Sequence, residues 1–397
     1  MATFSVRFLG CKVSYADSQA VRERLLGDGH AEVASGGDVA VVNTCCVTHE
    51  AVSKSRQAVS RAARSHERVY VTGCAANLGG ALADVASNVR VVARPGEEIA
   101  DAVAGDVGAI ACVQADRRLE RTRAFVKIQD GCSFSCAFCV IPHVRGATRS
   151  RRAHAVLAEI ERRVAQGHRE IVLTGVNLGC FRDREAGYGL ARLVREAGTV
   201  PGVERLRLSS IEVNHLTADL VAAMRETETA SLHLHVPLQS GDDGVLRAMR
   251  RRYSAAQYVA KLAPVADFNL TADVIVGFPG EDEAAFVRTL DTVRAAGISR
   301  VHAFPYSPRP GTSTAGADTV PVAEKKERSA RLRALSDELS RGRWRARVGS
   351  VDRVLVDRPG RGYADDYTPW LLDGEVGELL PARAVGVSEE GILAVAA

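Results

Sequence analysis

Cys132, Cys136 and Cys139 stand in the spacing C-x3-C-x2-C, the densest group of metal-ligating side chains in the chain. Three thiolates on one tight loop can each take one iron of a cubane cluster. A complete protein cage uses four ligands. Three leave one iron with an open position, the logic by which a catalytic metal keeps a place for its substrate. The plainer alternative is a zinc knuckle completed by His143 or Cys180. Against it, no paired C-x2-C follows downstream, and aromatic Phe138 stands just before the last cysteine.

The other cysteines are Cys11, Cys45, Cys46, Cys74, Cys112 and Cys180. The opening residues MATFSVRFLG carry no basic stretch ahead of a long apolar run, so they do not read as a signal peptide. No stretch approaches the roughly 20 apolar residues needed to cross a bilayer. A cytoplasmic location without membrane association is therefore expected, and there thiols stay reduced. Metal binding or catalysis is the expected use of such cysteines, while Cys112 and Cys180 read as small buried hydrophobes.

Two series of elements position these cysteines. FSVRF, DVAVVN, RVYVTG and NVRVV read as buried strands, with helical patterns over 17–28, 49–66 and 79–87 between them. That alternation predicts a doubly wound parallel sheet over 1–110. Cys11, Cys45 and Cys74 fall just past the first three strands, on connections that would face one crevice. FVKIQ, EIVLTGV, ERLRLSSIE, LHLHVPL, LTADVIVGF and RVHAFPY form a second series, which predicts a six-unit β/α barrel, full or partial, within 111–347. In 281–297, Phe286, Leu290 and Val293 share one helical face. The cluster loop follows the first of these strands, at the barrel end where chemistry resides. A long basic helix is expected over 323–347, then a small all-β barrel over 348–397.

Over 397 residues, 46% hydrophobic and 25% charged side chains describe a folded chain of two or three domains, not a disordered one. A net charge of +4 permits a polyanionic partner without requiring one. With 5% aromatic residues, base-stacking platforms must be few. From Val348 onward nine acids face four arginines, which predicts a poor grip on phosphate for the terminal barrel.

The cysteine spacing, with an aromatic before the third cysteine, resembles the radical SAM superfamily. LTGVN, LSSIE and VIVGFPGE match, in order, the segments where that superfamily contacts S-adenosylmethionine (SAM). The resemblance implies a [4Fe–4S] cluster on Cys132, Cys136 and Cys139. Its SAM contacts would come from Phe138, Arg149, Gly175, Asn177, Ser209, Glu212, Ile275 and Gly277. Electron transfer to SAM would then release a 5′-deoxyadenosyl radical, which a dry pocket must protect.

FLGCKVSYADS, VVNTCCVTHEAVSKSR and VTGCAAN resemble the three N-terminal cysteine segments of the methylthiotransferase family. The likeness continues through KIQDGCSFSCAFCVIPHVRGATRSR, HLHVPLQSGDDGVLRAMRRRYS and FPYSPRPGT, so it spans nearly the whole chain. It implies a second [4Fe–4S] cluster on Cys11, Cys45 and Cys74, with Cys45 rather than Cys46 as ligand. It also implies methylthiolation of an unreactive carbon, an electron donor protein and a C-terminal TRAM-like barrel. GCKVS, RRRYS and GYADDYTP point to the branch that acts at C2 of N6-threonylcarbamoyladenosine, position 37 of the tRNA anticodon loop. Ser14 and Asn77 depart from that branch. Isopentenyladenosine-37 tRNA or a protein side chain are the competing substrates. A non-catalytic, metal-stapled nucleic-acid-binding protein is the competing class.

Overall fold

The computed structural model describes residues 1–80, 82, 84–93, 98–108 and 122–397. Cys112 and a domain boundary at 110/111 lie outside the described residues. Two compact units result: Met1–Arg118 with Asp130–Arg149 and Ser307–Ala315, and Leu119–Gln129 with Ser150–Tyr306 and Gly316–Ala397.

In the first unit five parallel strands run in the order Ala31–Glu32, Thr3–Phe8, Val39–Thr44, Arg68–Gly73, Val89–Val91. The winding direction reverses between Thr3–Phe8 and Val39–Thr44, which makes the sheet doubly wound and opens a crevice beyond those strand ends. Val39–Thr44 is wholly buried, as a central parallel strand must be, and Arg68–Gly73 nearly so. Thr3–Phe8 is only half-buried, because a two-residue strand covers its outer side. The helix expected over 17–28 begins earlier, at Lys12, and ends at Gly27. The one expected over 49–66 spans His49–Ala63, started by the Thr48 side chain accepting from the Ala51 N–H at 3.1 Å. The helix expected over 79–87 does not form among the described residues, which are turns there. Gly79 and Gly80 hold φ of +55° and +67°, outside the right-handed helical region. Glu98–Val107, which the sequence reading passed over, is helical and packs Ile99 and Val103 against Val21 and Leu25.

In the second unit Arg123–Asp130, Glu170–Gly175 and Arg205–Leu208 form one parallel arc. His233–His235, Asn269–Val276 and Ile298–Pro305 form another. Parallel bridges Leu206↔Ala230 and Ser210↔His235 join the arcs into a six-stranded partial barrel. Helix Glu283–Ala295 buries Phe286 and Val293 against it. Val351–Arg358, Arg361–Tyr363, Pro369–Leu371, Leu379–Val387 and Ile392–Ala396 close a small β-barrel.

One buried carboxylate ties the two barrels. Glu170 opens its strand and accepts from Arg207 Nε at 2.7 Å and Arg205 Nη1 at 3.1 Å. The same guanidiniums reach the carbonyls of Arg353, Tyr363, Ala364 and Asp365 in the small barrel. Tyr367, at φ +67°, packs against His233 and under Arg207. GYADDYTP, read above as a substrate signature, is thus a packing segment. The acidic reading of the tail is corrected as well. Asp357 pairs with Arg123, Asp365 with Arg205, Asp366 with Arg343 and Arg347, and Asp352 with Arg347. The remaining acids and arginines nearly balance.

The expected basic helix forms over Val322–Ala346, yet two of its cations point inward. Lys325 pairs with Asp318, and Arg328 donates to Glu281 at 3.0 Å. Both are buried, so neither offers charge to a surface partner.

Burial opposes ionisation of Glu170, but Arg207, Arg205 and Arg123 outweigh it and hold the carboxyl below its ordinary value of 4.5. Its stabilisation is therefore complete above pH 4.5 and is lost as pH falls through the lower, folded value. Glu170→Gln leaves the buried guanidinium of Arg207 without a counter-charge and Arg205 with one fewer, and should cost about 3–5 kcal/mol. Urea unfolding at neutral pH measures this, and a loss below about 1 kcal/mol would remove Glu170 as the tie.

Candidate iron–sulfur centre

The first unit brings seven described cysteines, both triads and Cys46, into one body. Cys45 and Cys74 each come one residue past adjacent strands, and Cys11 three residues past a third. Backbone register fixes them: Leu9 N–H donates to Asn43 O at 2.8 Å and Cys74 N–H to Thr44 O at 3.0 Å. Gly10 and Gly73 allow the close approach, at φ +137° and +88°. A Cβ on Gly73 would lie 2.2 Å from Asn43 Oδ1 and 2.5 Å from Thr44 O. Ser55 clamps the Cys45 backbone, its Oγ accepting from Cys45 N–H at 3.1 Å.

The adjacent cysteines divide in character. Cys46 is fully buried in an apolar cluster, whereas Cys45 is half-buried and Cys11 exposed. The Cys46 thiol donates to the Cys74 sulfur, and with help from Arg145 this overrides burial and brings the Cys74 thiol down to about 6. The same contact, with burial, pushes the Cys46 thiol upward. Burial pushes the Cys45 thiol up to about 11. Metal ligation requires the thiolate, and of this coupled pair Cys74 is the sulfur drawn toward it.

Cys132, Cys136 and Cys139 are all half-buried on the loop that leaves strand Arg123–Asp130. Cys139 N–H donates to Cys136 O at 3.1 Å, and Cys132 N–H to Gly146 O at 3.0 Å. Gly131, at φ +66°, leaves no room for a side chain, since its Cβ would lie 2.1 Å from Ala147 O. Segment Ser307–Ala315 braces the loop from outside: Thr314 Oγ1 donates to Ala137 O at 3.0 Å. On the same segment buried Arg309 donates to Cys46 O at 3.4 Å. The short helix Ile141–Arg145 then carries Arg145 inward, to Asp130, Asp17 and Cys74. Burial would lower the guanidinium's pKa, but Cys74, Asp17 and Asp130 more than reverse this and keep it charged.

The expected SAM contacts fall in both units. Phe138 is half-buried on the cysteine loop, and Arg149 is exposed, donating to Arg145 O at 3.1 Å. In the second unit Gly175, Asn177, Ser209 and Glu212 lie at or beyond strand ends. Asn177 N–H donates to Gln129 Oε1 at 2.8 Å. Glu212 is engaged locally, accepting from Asn214 N–H at 2.9 Å and from Arg251 at 3.3 Å. Ile275 is half-buried on its strand. Gly277 serves packing, because a Cβ there would lie 2.4 Å from Lys325 Cγ. Ser209 is 3% exposed and its hydroxyl has no hydrogen-bond partner among the described residues. An orphaned buried hydroxyl fits a polar ligand group. The donor sets therefore suit both groups: paired thiol triads for clusters, and strand-end polar atoms for SAM.

Two features escaped the sequence reading. Asp273 and His302 join His235, with ligand atoms all within 4.8 Å of one another. No local signal marks this group, because its members come from three strands, His233–His235, Asn269–Val276 and Ile298–Pro305. His233 and His235 both meet Thr271 Oγ1, at 3.1 and 2.9 Å. The second feature is Arg145, which the sequence reading does not single out.

The profile of the Radical SAM superfamily matches residues 126–293, and an uncharacterized protein family (UPF0004) matches 3–93. A radical S-adenosylmethionine methyltransferase, TsrM of Kitasatospora setae, shares the fold at a TM-score of 0.59 and 14% identity, over 79% of this chain and 75% of that one. The fold and site thus define a radical SAM enzyme. Threonylcarbamoyladenosine tRNA methylthiotransferase MtaB of Bacillus subtilis is 33% identical, covering 94% of this chain and 91% of its own length. The tRNA-2-methylthio-N(6)-dimethylallyladenosine synthase of Sphingopyxis alaskensis is 34% identical, over 97% and 93%. The chain belongs to the radical SAM tRNA methylthiotransferase family.

Gly73→Ala should push Cys74 away from Cys45 and cut iron per chain by about half, that is, by one cubane. Iron analysis after anaerobic reconstitution measures this. Full iron content in the variant would show that the Asn43–Thr44–Gly73 contact does not position Cys74.

Proposed function

We propose that this chain methylthiolates C2 of N6-threonylcarbamoyladenosine at position 37 of tRNA, in the cytoplasm, with electrons from a donor protein. In this reading Cys132, Cys136 and Cys139 hold the SAM-binding cluster, and Cys11, Cys45 and Cys74 hold a second one. The observation that carries it is the gathering of both triads in one compact unit. SAM and the clusters, when bound, supply the 5′-deoxyadenosyl radical and the sulfur. The chain's own residues hold and orient those groups: Ser209 offers its uncommitted hydroxyl, and Phe138 covers the cysteine loop. The boundaries 1–110, 111–347 and 348–397 are proposed as the methylthiotransferase, radical SAM and TRAM-like parts.

For the substrate, relatives of both nucleoside classes match at 33–35% identity, so the reading rests on chemistry near the second triad. Lys12 follows Cys11 at the start of helix Lys12–Gly27. The threonylcarbamoyl group ends in a carboxylate, whereas an isopentenyl group is uncharged and apolar. A cation at this position suits the first.

Two variants test the division of labour. Cys132, Cys136 and Cys139 changed together to Ala should abolish SAM cleavage, since no iron then offers an open position. Cys11, Cys45 and Cys74 changed to Ala should leave cleavage to 5′-deoxyadenosine measurable while eliminating methylthiolated product. Normal product from the second variant would make the N-terminal triad structural. Lys12→Met should raise KM for threonylcarbamoylated tRNA about tenfold, the loss of one charge-assisted contact of about 1.4 kcal/mol. Nucleoside mass spectrometry reads the product, and an unchanged KM would remove Lys12 from substrate recognition.

A further inference from the structure

Arg145 makes contacts that no surface arginine makes. Its guanidinium is almost wholly buried, and its five N–H donors are spread over four side chains. Nε donates to Cys74 Sγ at 3.2 Å. Nη1 donates to both oxygens of Asp130, at 3.0 and 3.2 Å. Nη2 donates to Asp17 Oδ2 at 3.0 Å and to Ser14 Oγ at 3.4 Å.

These partners belong to both cysteine segments. Asp130 ends the strand that enters the Cys132–Cys139 loop, and its Oδ1 also accepts the Gly131 N–H at 2.7 Å. Arg145 lies where that loop ends, so the bidentate pair clasps the loop at its base. Ser14 and Asp17 lie on the first turns of the helix that follows Cys11, and Ser14 Oγ stands 3.8 Å from Cys11 Sγ. Cys74 is itself a candidate ligand. Asn77, three residues on, donates to Val144 O at 2.7 Å and fastens the same short helix from the other side.

The charges are placed with equal economy. One buried cation faces two buried carboxylates and one cysteine sulfur. A guanidinium suits this task because it stays charged when buried and offers donors in fixed directions. Hydrogen bonds to a cluster's sulfurs, together with local charge, set its reduction potential. An N–H aimed at a ligand sulfur stabilises the reduced cluster, which carries more negative charge.

We propose that Arg145 is the positioning residue shared by both cluster sites, and that its Nε–H bond to Cys74 raises the reduction potential of the second cluster. The inference rests on the reading that Cys11, Cys45 and Cys74 hold that cluster.

The test uses the full chain carrying Cys132, Cys136 and Cys139 changed to Ala, so that only the second cluster is present. EPR-monitored redox titration compares Arg145, Arg145→Lys and Arg145→Met in that background. The potential should fall in Arg145→Met and fall less in Arg145→Lys, which keeps the charge and loses the directed Nε–H. A residue that only holds the fold together would alter cluster occupancy without shifting the potential of the clusters that remain. Because Arg145→Met strands two buried carboxylates and can fail to fold, a second measurement needs no substitution. In the same background, the reduced cluster of protein labelled with guanidino-15N arginine should show 15N hyperfine coupling, lost in Arg145→Lys. A cluster with no such coupling, or with an unchanged potential in the substituted forms, overturns the inference alone. A parent protein that binds no iron overturns the reading beneath it as well.

Discussion

The parallel register of three strand ends is the constraint on which the rest depends. Phe8 pairs with Asn43 and Thr44 with Gly73, so the chain leaves three neighbouring strands at nearly one level. That level places the backbone of every cysteine in the N-terminal triad. Parallel pairing buries the strands on both faces, and covering helices hold the register. A slip by one residue would turn Asn43 and Thr44 over and carry Cys45 to the other face.

Buried charge is the second organising theme, and each unit shows it. In the first, Arg145 balances Asp17, Asp130 and the Cys74 sulfur. In the second, Glu170 balances Arg205 and Arg207, which in turn hold the carbonyls of the small terminal barrel. Each centre is costly to assemble and more costly to break, because removing one member strands the others. That asymmetry makes both positions hard to substitute and gives each unit a defined internal geometry. It also accounts for Asp352, Asp357, Asp365 and Asp366 of the C-terminal segment, which meet arginines of their own unit.

Much of this was legible in the sequence, for local reasons. The spacing of Cys132, Cys136 and Cys139 is a short-range pattern, and the strands ahead of Cys11, Cys45 and Cys74 announce themselves by continuous apolar runs. Six barrel strands were legible for the same reason. What escaped depends on separation along the chain. Arg145 reaches Asp17 across 128 positions and Cys74 across 71, and no local pattern distinguishes it from Arg149 or Arg151. Lys325 and Arg328 look like surface charge on a basic helix until Asp318 and Glu281 arrive from other segments. GYADDYTP drew attention as a family signature, and its structural reason is the junction of two barrels. Among the described residues of 79–87 no helix forms; Gly79 and Gly80 carry positive φ, a backbone choice that composition hints at but does not decide.

The central claim is that one chain carries two cubane clusters, one of them with an open iron. Mössbauer spectroscopy of the anaerobically reconstituted full chain, with and without SAM, tests it most directly. The account predicts about eight irons per chain, all in [4Fe–4S] form, with the signal of a unique iron in one cluster altered by SAM. About four irons, or stoichiometric zinc in place of iron, would contradict it.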